Sequence, residues 1–315
     1  MIPFAWLEQA SERIGPFIHK TPLTYDAQNN LYLKWENHQV TGSFKARGAL
    51  NKILALQNWE LERGLVTASA GNHGQGVALA AKMRGAQVIV FASNHALPNK
   101  LKAMQELGAD IRLVAGGYGE AEGAGITFAR ATGATWVSPY NDGMIIAGQG
   151  TIALEIMQEL PDPSSVTWIV PAGGGGLVSG IGCALQIINP SPKLVAVQSE
   201  ASPFLCEIFL HGTQKDVEEL PSIADGLAGP VEEGSVTIPM VKNYVTNFIL
   251  VTETEIRKAI KYAWCTYHER IEGSAAASLA AVTSGRISVR PALVVLTGGN
   301  ISPEDHAQII DDINM

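Results

Sequence analysis

The chain has 315 residues, of which 46% are hydrophobic and only 17% charged; this suits a large buried core and excludes a disordered chain. Its formal net charge of -8 comes without any basic block, which argues against a nucleic-acid partner. Cys183, Cys206 and Cys265 are far apart and odd in number, so they form neither a disulfide framework nor a metal-ligand set, and packing roles in a reducing cytosol are expected.

The N-terminal stretch MIPFAWLEQASERIGPF lacks the basic start and apolar core of a secretory signal. No apolar run reaches the roughly 18 residues that a membrane span needs. A soluble, cytoplasmic protein is expected.

In chain order, Ala5 to Ile14 reads as a helix, Pro16 to Pro22 as an irregular crossing, and Leu31 to Trp35 as a strand. A helix follows over Phe44 to Leu56, with Ser43 as its expected N-cap. Next come a strand at Gly64 to Ala68, a helix at His73 to Met83, a strand at Gln87 to Phe91 and a helix at Pro98 to Leu107. Ile111 to Val114 is a strand, Tyr118 to Thr132 a helix and Thr135 to Val137 a short strand. A second series runs helix Ile145 to Glu159, strand Thr167 to Val170, helix Leu177 to Ile188, strand Lys193 to Gln198 and helix Pro203 to Leu210. Gln214 to Gly234 is rich in turn residues. Strand Phe248 to Val251, helices Glu253 to Tyr267 and Ser274 to Thr283, and strand Ala292 to Leu296 complete the chain. Short apolar strands alternating with helices of about three turns predict an α/β fold with mostly parallel sheets.

Four segments at strand ends carry chemistry. In Thr41-Gly42-Ser43-Phe44-Lys45, the lysine falls in the first turn of a helix, where the dipole and apolar neighbours disfavour its ammonium form. It is either an ordinary surface lysine or an amine able to form a Schiff base. Pro171-Ala172-Gly173-Gly174-Gly175-Gly176-Leu177 follows an apolar strand and opens a helix. It is either a flexible connection or a cradle whose backbone N–H groups converge on a phosphate. No Lys-Ser/Thr pair follows the glycines, so it is not a nucleotide P-loop, and no dinucleotide G-x-G-x-x-G occurs.

Ser69-Ala70-Gly71-Asn72-His73 has the same strand-to-helix context. It reads either as a capped helix start with a structural histidine or as a loop that grips a carboxylate. Thr297-Gly298-Gly299 ends the last strand, and ligands of open α/β sheets gather at carboxyl ends of strands. A lysine, an anion cradle and two polar loops at one edge suit a phosphate-bearing aldehyde.

The sequence resembles the fold type II pyridoxal-phosphate enzymes, specifically the threonine/serine dehydratase and serine racemase group. TGSFKARGA, SAGNHGQG, PAGGGGL, ADGLAG and LTGGN appear in the family's order, from the TPL at Thr21 to Leu23 nearly to the C-terminus. The resemblance implies pyridoxal 5'-phosphate as cofactor, held by Lys45 as a Schiff base, with Phe44 beside its ring. It places Asn72 on the ring hydroxyl, Gly173, Gly174, Gly175, Gly176 and Leu177 on the phosphate, and the Thr297 hydroxyl at the ring nitrogen. Ser69, Ala70, Gly71, Asn72 and His73 form the substrate-carboxylate loop, and Lys45 becomes the base for the α-proton.

The resemblance further implies a tryptophan-synthase-β-like, two-lobed architecture. Residues 1–61 and 144–315 form a large cofactor-binding lobe, 62–143 a small inserted one, and a homodimer is expected. The activity that the resemblance implies is β-elimination of L-threonine and/or L-serine to a 2-oxo acid and ammonia. Serine racemase, a dehydratase of 3-hydroxyaspartate or another β-hydroxy amino acid, and a non-enzymatic binder of a phosphorylated ligand are the alternatives. Ala70 stands where racemases carry a serine acid/base, and Gln198 and Phe204 stand where they carry the carboxylates of a cation site; both departures favour the dehydratase. The chain ends at Met315, so the regulatory domain of biosynthetic threonine dehydratases, with its feedback inhibition by isoleucine, is not expected.

Overall fold

The computed structural model describes residues 1–189 and 192–312. Helix α1 (Ala5–Ile14) buries Leu7, Ala10 and Ile14, a spacing that places all three on one face. Strands β1 (Leu23–Asp26) and β2 (Leu31–Trp35) form an antiparallel hairpin. Then follow helices α2 (Lys45–Ala55) and α3 (Asn58–Glu62), strand β3 (Leu65–Ala68), helix α4 (Asn72–Arg84) and strand β4 (Val88–Ser93). Helix α5 (Pro98–Glu106), strand β5 (Asp110–Val114), helix α6 (Tyr118–Thr132) and strand β6 (Thr135–Trp136) complete this half. Strands β3 to β6 make a four-stranded parallel sheet in the order β5-β4-β3-β6.

The chain continues through helix α7 (Gly143–Glu159), strand β7 (Thr167–Pro171), helix α8 (Gly176–Ile188), strand β8 (Leu194–Ser199) and helix α9 (Phe204–His211). Helix α10 (Thr237–Tyr244), strand β9 (Asn247–Val251), helices α11 (Glu253–Tyr267) and α12 (Gly273–Thr283), strand β10 (Ala292–Leu296) and helix α13 (Pro303–Asp312) follow. The second sheet has the order β1-β2-β10-β7-β8-β9 and is parallel except at the β1–β2 hairpin. Successive strand residues serve opposite faces: Trp168 and Val170 pack into one core and Ile169 into the other, as do Leu293 and Val295 against Val294 and Leu296.

The last strand, β10, lies between β2 and β7, with Leu296 opposite Trp35. This register brings the residues after β10 to those before α2. Ser43 pairs with Gly298 in an isolated bridge, and the Phe44 N–H donates to the Thr297 carbonyl at 3.0 Å. Two residues beyond Lys45, the fully buried Arg47 guanidinium donates in a fork to Glu36, at 2.8 Å twice, and to Glu155 at 2.6 and 2.9 Å. Lys34 donates to Glu155 at 2.7 Å. Two cations and two carboxylates thus balance below the first turn of α2 and tie it to β2 and α7.

The structure departs from the sequence reading in several places. The segment between Ile14 and Leu31 is not merely irregular: Gly15–Phe17 is a 3-10 turn, and β1 pairs with β2. Alternation is weak there because β1 is an edge strand with largely exposed side chains. Three helices, α3, α10 and α13, were not expected; the first two are short and all three adjoin turn-rich segments. Ser43 is not an N-cap: Phe44 occupies that position, no side chain caps the helix, and the Ser43 hydroxyl is buried without a partner. The bridge to Gly298 and a first turn closed by Arg47 N–H to Phe44 C=O at 3.0 Å hold that end instead. Cys183 and Cys206 are buried, but Cys265 is exposed and packs no core.

Candidate active site

The thirteen residues singled out in the sequence converge on one cavity, bounded by the carboxyl ends of both sheets. Phe44, Lys45, Ser69, Ala70, Gly71, Asn72, His73, Gly173, Gly174, Gly175, Gly176, Leu177 and Thr297 all line it.

Lys45 begins α2, and its Nζ donates to the Pro139 carbonyl at 3.1 Å and lies 5.3 Å from the centre of the Phe44 ring. Burial pulls its pKa down to about 8, while the Glu272 carboxylate opposes the shift. Phe44 and Thr297 sit side by side because their backbones are bonded, and Thr297 is 3% exposed.

The glycine run turns β7 into α8. Gly175, at φ +86, adopts the left-handed conformation that glycine takes without steric cost. A Cβ on Gly174 would lie 2.4 to 2.6 Å from the Tyr140 ring, and one on Gly173 3.1 Å from the Leu227 backbone. No side chain caps α8, so the first N–H groups of the helix, whose Gly176 and Leu177 line the cavity, are free of intrahelical partners. Thr237 Oγ1 donates to the Gly174 carbonyl at 2.7 Å and fixes the loop from behind.

The loop after β3 is held from within and from across the cavity. The Gly71 N–H donates to Ser69 Oγ at 3.0 Å. Asn72 Nδ2 donates to Glu272 Oε1 at 2.6 Å, while Asn72 Oδ1 accepts from Asn300 Nδ2 at 2.7 Å. One hydrogen of the Asn72 amide group remains for a ligand. His73 is buried, its Nε2 donates to the Val137 carbonyl at 3.2 Å, and burial with the nearby Lys45 charge pulls its pKa down to about 3. It is a neutral ring whose Nδ1 has no partner.

A family model described as "Pyridoxal-phosphate dependent enzyme" matches residues 12–298. The chain belongs to this family. It is similar to the L-threonine ammonia-lyase of Thermotoga maritima, with 40% identity over 96% of this chain and 76% of that protein. It is also similar to the L-threonine dehydratase catabolic TdcB of Staphylococcus aureus, with 39% identity over 94% of this chain and 88% of that one. Among solved structures it resembles maize serine racemase, at 31% identity and a TM-score of 0.89, covering 98% of this chain and 96% of that chain.

The cavity fits the family's cofactor on its own terms. A phosphate needs convergent N–H groups and close approach, which the bare glycine turn supplies; an aldehyde needs an amine, which Lys45 supplies. Of the two residues that the resemblance sets against a racemase cation site, Gln198 accepts at Oε1 from the Cys206 N–H at 2.8 Å, and Phe204 is buried. No cluster of three His, Cys, Asp or Glu able to hold a metal occurs among the described residues, and none of the described helices is long and apolar enough to cross a membrane.

The sequence reading missed Glu272, Lys100, Asp225, Tyr118 and Tyr140, all of which line the cavity. Glu272 had a signal, since a lone carboxylate directly precedes the run of small residues GSAAAS that opens α12. The carboxyl of Glu272 is pushed up to about 7, burial raising it and Lys100 opposing. Lys100 had none: its helix is polar and reads as solvated.

Proposed function

We propose that the protein dehydrates and deaminates L-threonine and/or L-serine to a 2-oxo acid and ammonia, in a cleft between a large lobe (1–61 and 144–315) and a small one (62–143). One observation carries this reading: a buried, easily deprotonated lysine, an anion cradle and a neutral hydroxyl line one cavity. The names of the two bacterial relatives, threonine ammonia-lyase and threonine dehydratase, support it.

Pyridoxal phosphate, when bound, supplies an aldehyde that condenses with amines and a conjugated ring that acidifies the substrate α-hydrogen. Gly173 to Leu177 would hold its phosphate, Asn72 its ring oxygen, Thr297 its ring nitrogen and Lys45 its aldehyde carbon, with Phe44 against the ring. In the proposed reaction the Ser69–His73 loop takes the substrate carboxylate through its N–H groups. Lys45 would take the α-proton at its Nζ; its lowered pKa keeps a usable fraction of free base near neutrality. Thr297 offers a hydroxyl rather than a carboxylate and so would not favour a protonated ring nitrogen, which suits expulsion of the β-hydroxyl over prolonged storage of charge. Water and an enamine leave, and the enamine hydrolyses to the 2-oxo acid and ammonia.

Likeness to serine racemase favours racemisation as a second reading. It is the weaker one, because the methyl of Ala70 cannot deliver a proton to the second face. A homodimer in a reducing cytosol completes the proposal, supported by the family resemblance and by free cysteines; sedimentation velocity tests the dimer.

The experiment is a panel of β-hydroxy amino acids given to holoenzyme, with oxo-acid release and D-serine formation both measured. Oxo acid from L-threonine or L-serine, abolished together with the cofactor's absorbance band in Lys45→Ala, is the expected result. D-serine forming as fast as pyruvate would replace the dehydratase by a racemase.

A further inference from the structure

The inner cavity, about 140 Å³, opens into a wider one of about 720 Å³ between α5, α6, α11 and α13. Three charged side chains line both: Lys100, Asp225 and Glu272. They mark the neck where the two cavities adjoin. Lys100, on α5, donates from Nζ to Asp225 Oδ2, on the 3-10 turn Asp225–Leu227. An ion pair therefore bridges the neck between segments that belong to different sheets.

The charges pose a problem for an amino-acid substrate. Its carboxylate, carried inward to the N–H groups of the Ser69–His73 loop, gains further from a nearby cation, because charge-assisted hydrogen bonds are the stronger ones at a buried site. The Ser69–His73 loop offers only neutral donors, and Ser69 Oγ already accepts from Gly71. Among the described residues lining the inner cavity, the cations are Lys45 and Lys100. Lys45 is committed to the amine chemistry. Glu272 adds negative charge, and its Oε2, in a side chain only 3% exposed, has no partner.

Resting on the dehydratase reading, we propose that Lys100 is a substrate-binding residue that pairs with the incoming α-carboxylate and that Asp225 holds this cation in reserve until substrate displaces it. Position supports the exchange. The Lys100 stem lies against the carboxylate loop, since a Cβ on Gly71 would be 2.8 Å from Lys100 Cδ. Lys100 is buried to 8% exposure and cannot follow Asp225 into water, whereas the Asp225 side chain is 38% exposed and can swing out to be solvated. A carboxylate is thus exchanged for a carboxylate at a cation that stays in place, so the neck selects a ligand carrying one.

The test compares Lys100→Met, Lys100→Arg and Asp225→Asn holoenzymes with wild type, using L-threonine as substrate and L-threonine amide as competitor. Lys100→Met should raise KM for L-threonine about tenfold to a hundredfold, with the cofactor band unchanged, and should erase the preference for threonine over its amide. Lys100→Arg should stay within about threefold of wild type, and Lys102→Met, on the exposed face of α5, should match wild type. Asp225→Asn should lower KM, because it removes the competitor, and an unchanged KM in it rejects the reserve role. If Lys100→Met and Asp225→Asn raise KM alike, the pair is only a strut between the two sheets and the proposal falls. An unchanged KM in Lys100→Met overturns it too. Should Lys100→Met fail to fold, a raised KM in Asp225→Asn alone is enough to reject it. If wild type turns over neither threonine nor serine, the dehydratase reading fails by itself. Calorimetric binding of L-threonine to the same holoenzymes then decides on Lys100 by the same fold-changes.

Discussion

Stripped of cofactor, the protein should react with an aldehyde at Lys45 far faster than an ordinary lysine would at neutral pH. Burial pulls the Lys45 pKa from 10.5 to about 8. At pH 7 about one molecule in ten then carries the free amine, against about one in three thousand for an unshifted lysine, a gain of roughly 300-fold. The assay treats apo-enzyme with pyridoxal, which lacks the phosphate and so does not report the glycine cradle, traps the imine with borohydride and follows the Lys45-bearing peptide by mass spectrometry from pH 6 to pH 10. The expected midpoint is near 8. Glu272→Gln, which removes the carboxylate that opposes the shift, should move the midpoint lower still.

The same shift makes stability depend on pH. Between about pH 8 and 10.5 the unfolded chain holds a proton that the folded chain has lost, so stability of the apo-enzyme should rise with pH across that window, by about 3 kcal/mol. Below pH 8 both states are protonated and the penalty is constant; Lys45→Ala should remove it and flatten the rise. A trapping midpoint at 10 or above, or one unmoved in Glu272→Gln, would refute this account of Lys45.

Gly174→Ala drives a methyl into the Tyr140 ring, whose Oη is fixed by the Glu232 N–H at 2.8 Å. Overpacking of roughly 1–3 kcal/mol should weaken pyridoxal phosphate binding about tenfold or more, read by absorbance titration. Gly123→Ala, on exposed α6 with open space around it, should change nothing or stabilise slightly. Arg47→Met should cost about 3–5 kcal/mol in urea unfolding, because Glu36 and Glu155 lose a buried partner; Arg47→Lys should recover only part, lacking the fork. A loss below 1 kcal/mol would show that α2 is not held by this network. Ser43→Ala removes a buried hydroxyl without a partner and should be neutral or stabilising by about 1 kcal/mol in the same assay.

Local pattern alone determined most elements here and singled out the loops that line the cavity, while their roles toward a cofactor came from the family resemblance of the motifs. Apolar runs such as TWIV and ALVVL can only be strands buried on both faces, and a bare glycine turn between such a strand and an apolar helix admits few uses other than close approach. Lys45, Asn72, Gly174 and Thr297 were legible because each sits in a short stretch whose residues constrain one another. What local pattern could not show is which distant segments face each other. The placing of β10 between β2 and β7 brings Thr297 to Phe44, and no spacing along the chain encodes that register. Lys100, Asp225 and Glu272 lie 125 and 47 residues apart in sequence order and meet only where the two sheets do. Ordinary on a polar helix, Lys100 becomes a buried cation at the neck of the cavity because tertiary packing, which no local propensity records, removes its water and supplies its partners. Lys45 shows both halves of the matter: its motif marks it as an amine of interest, but the depth that lowers its pKa and the Glu272 charge that limits the shift come from the folded chain alone.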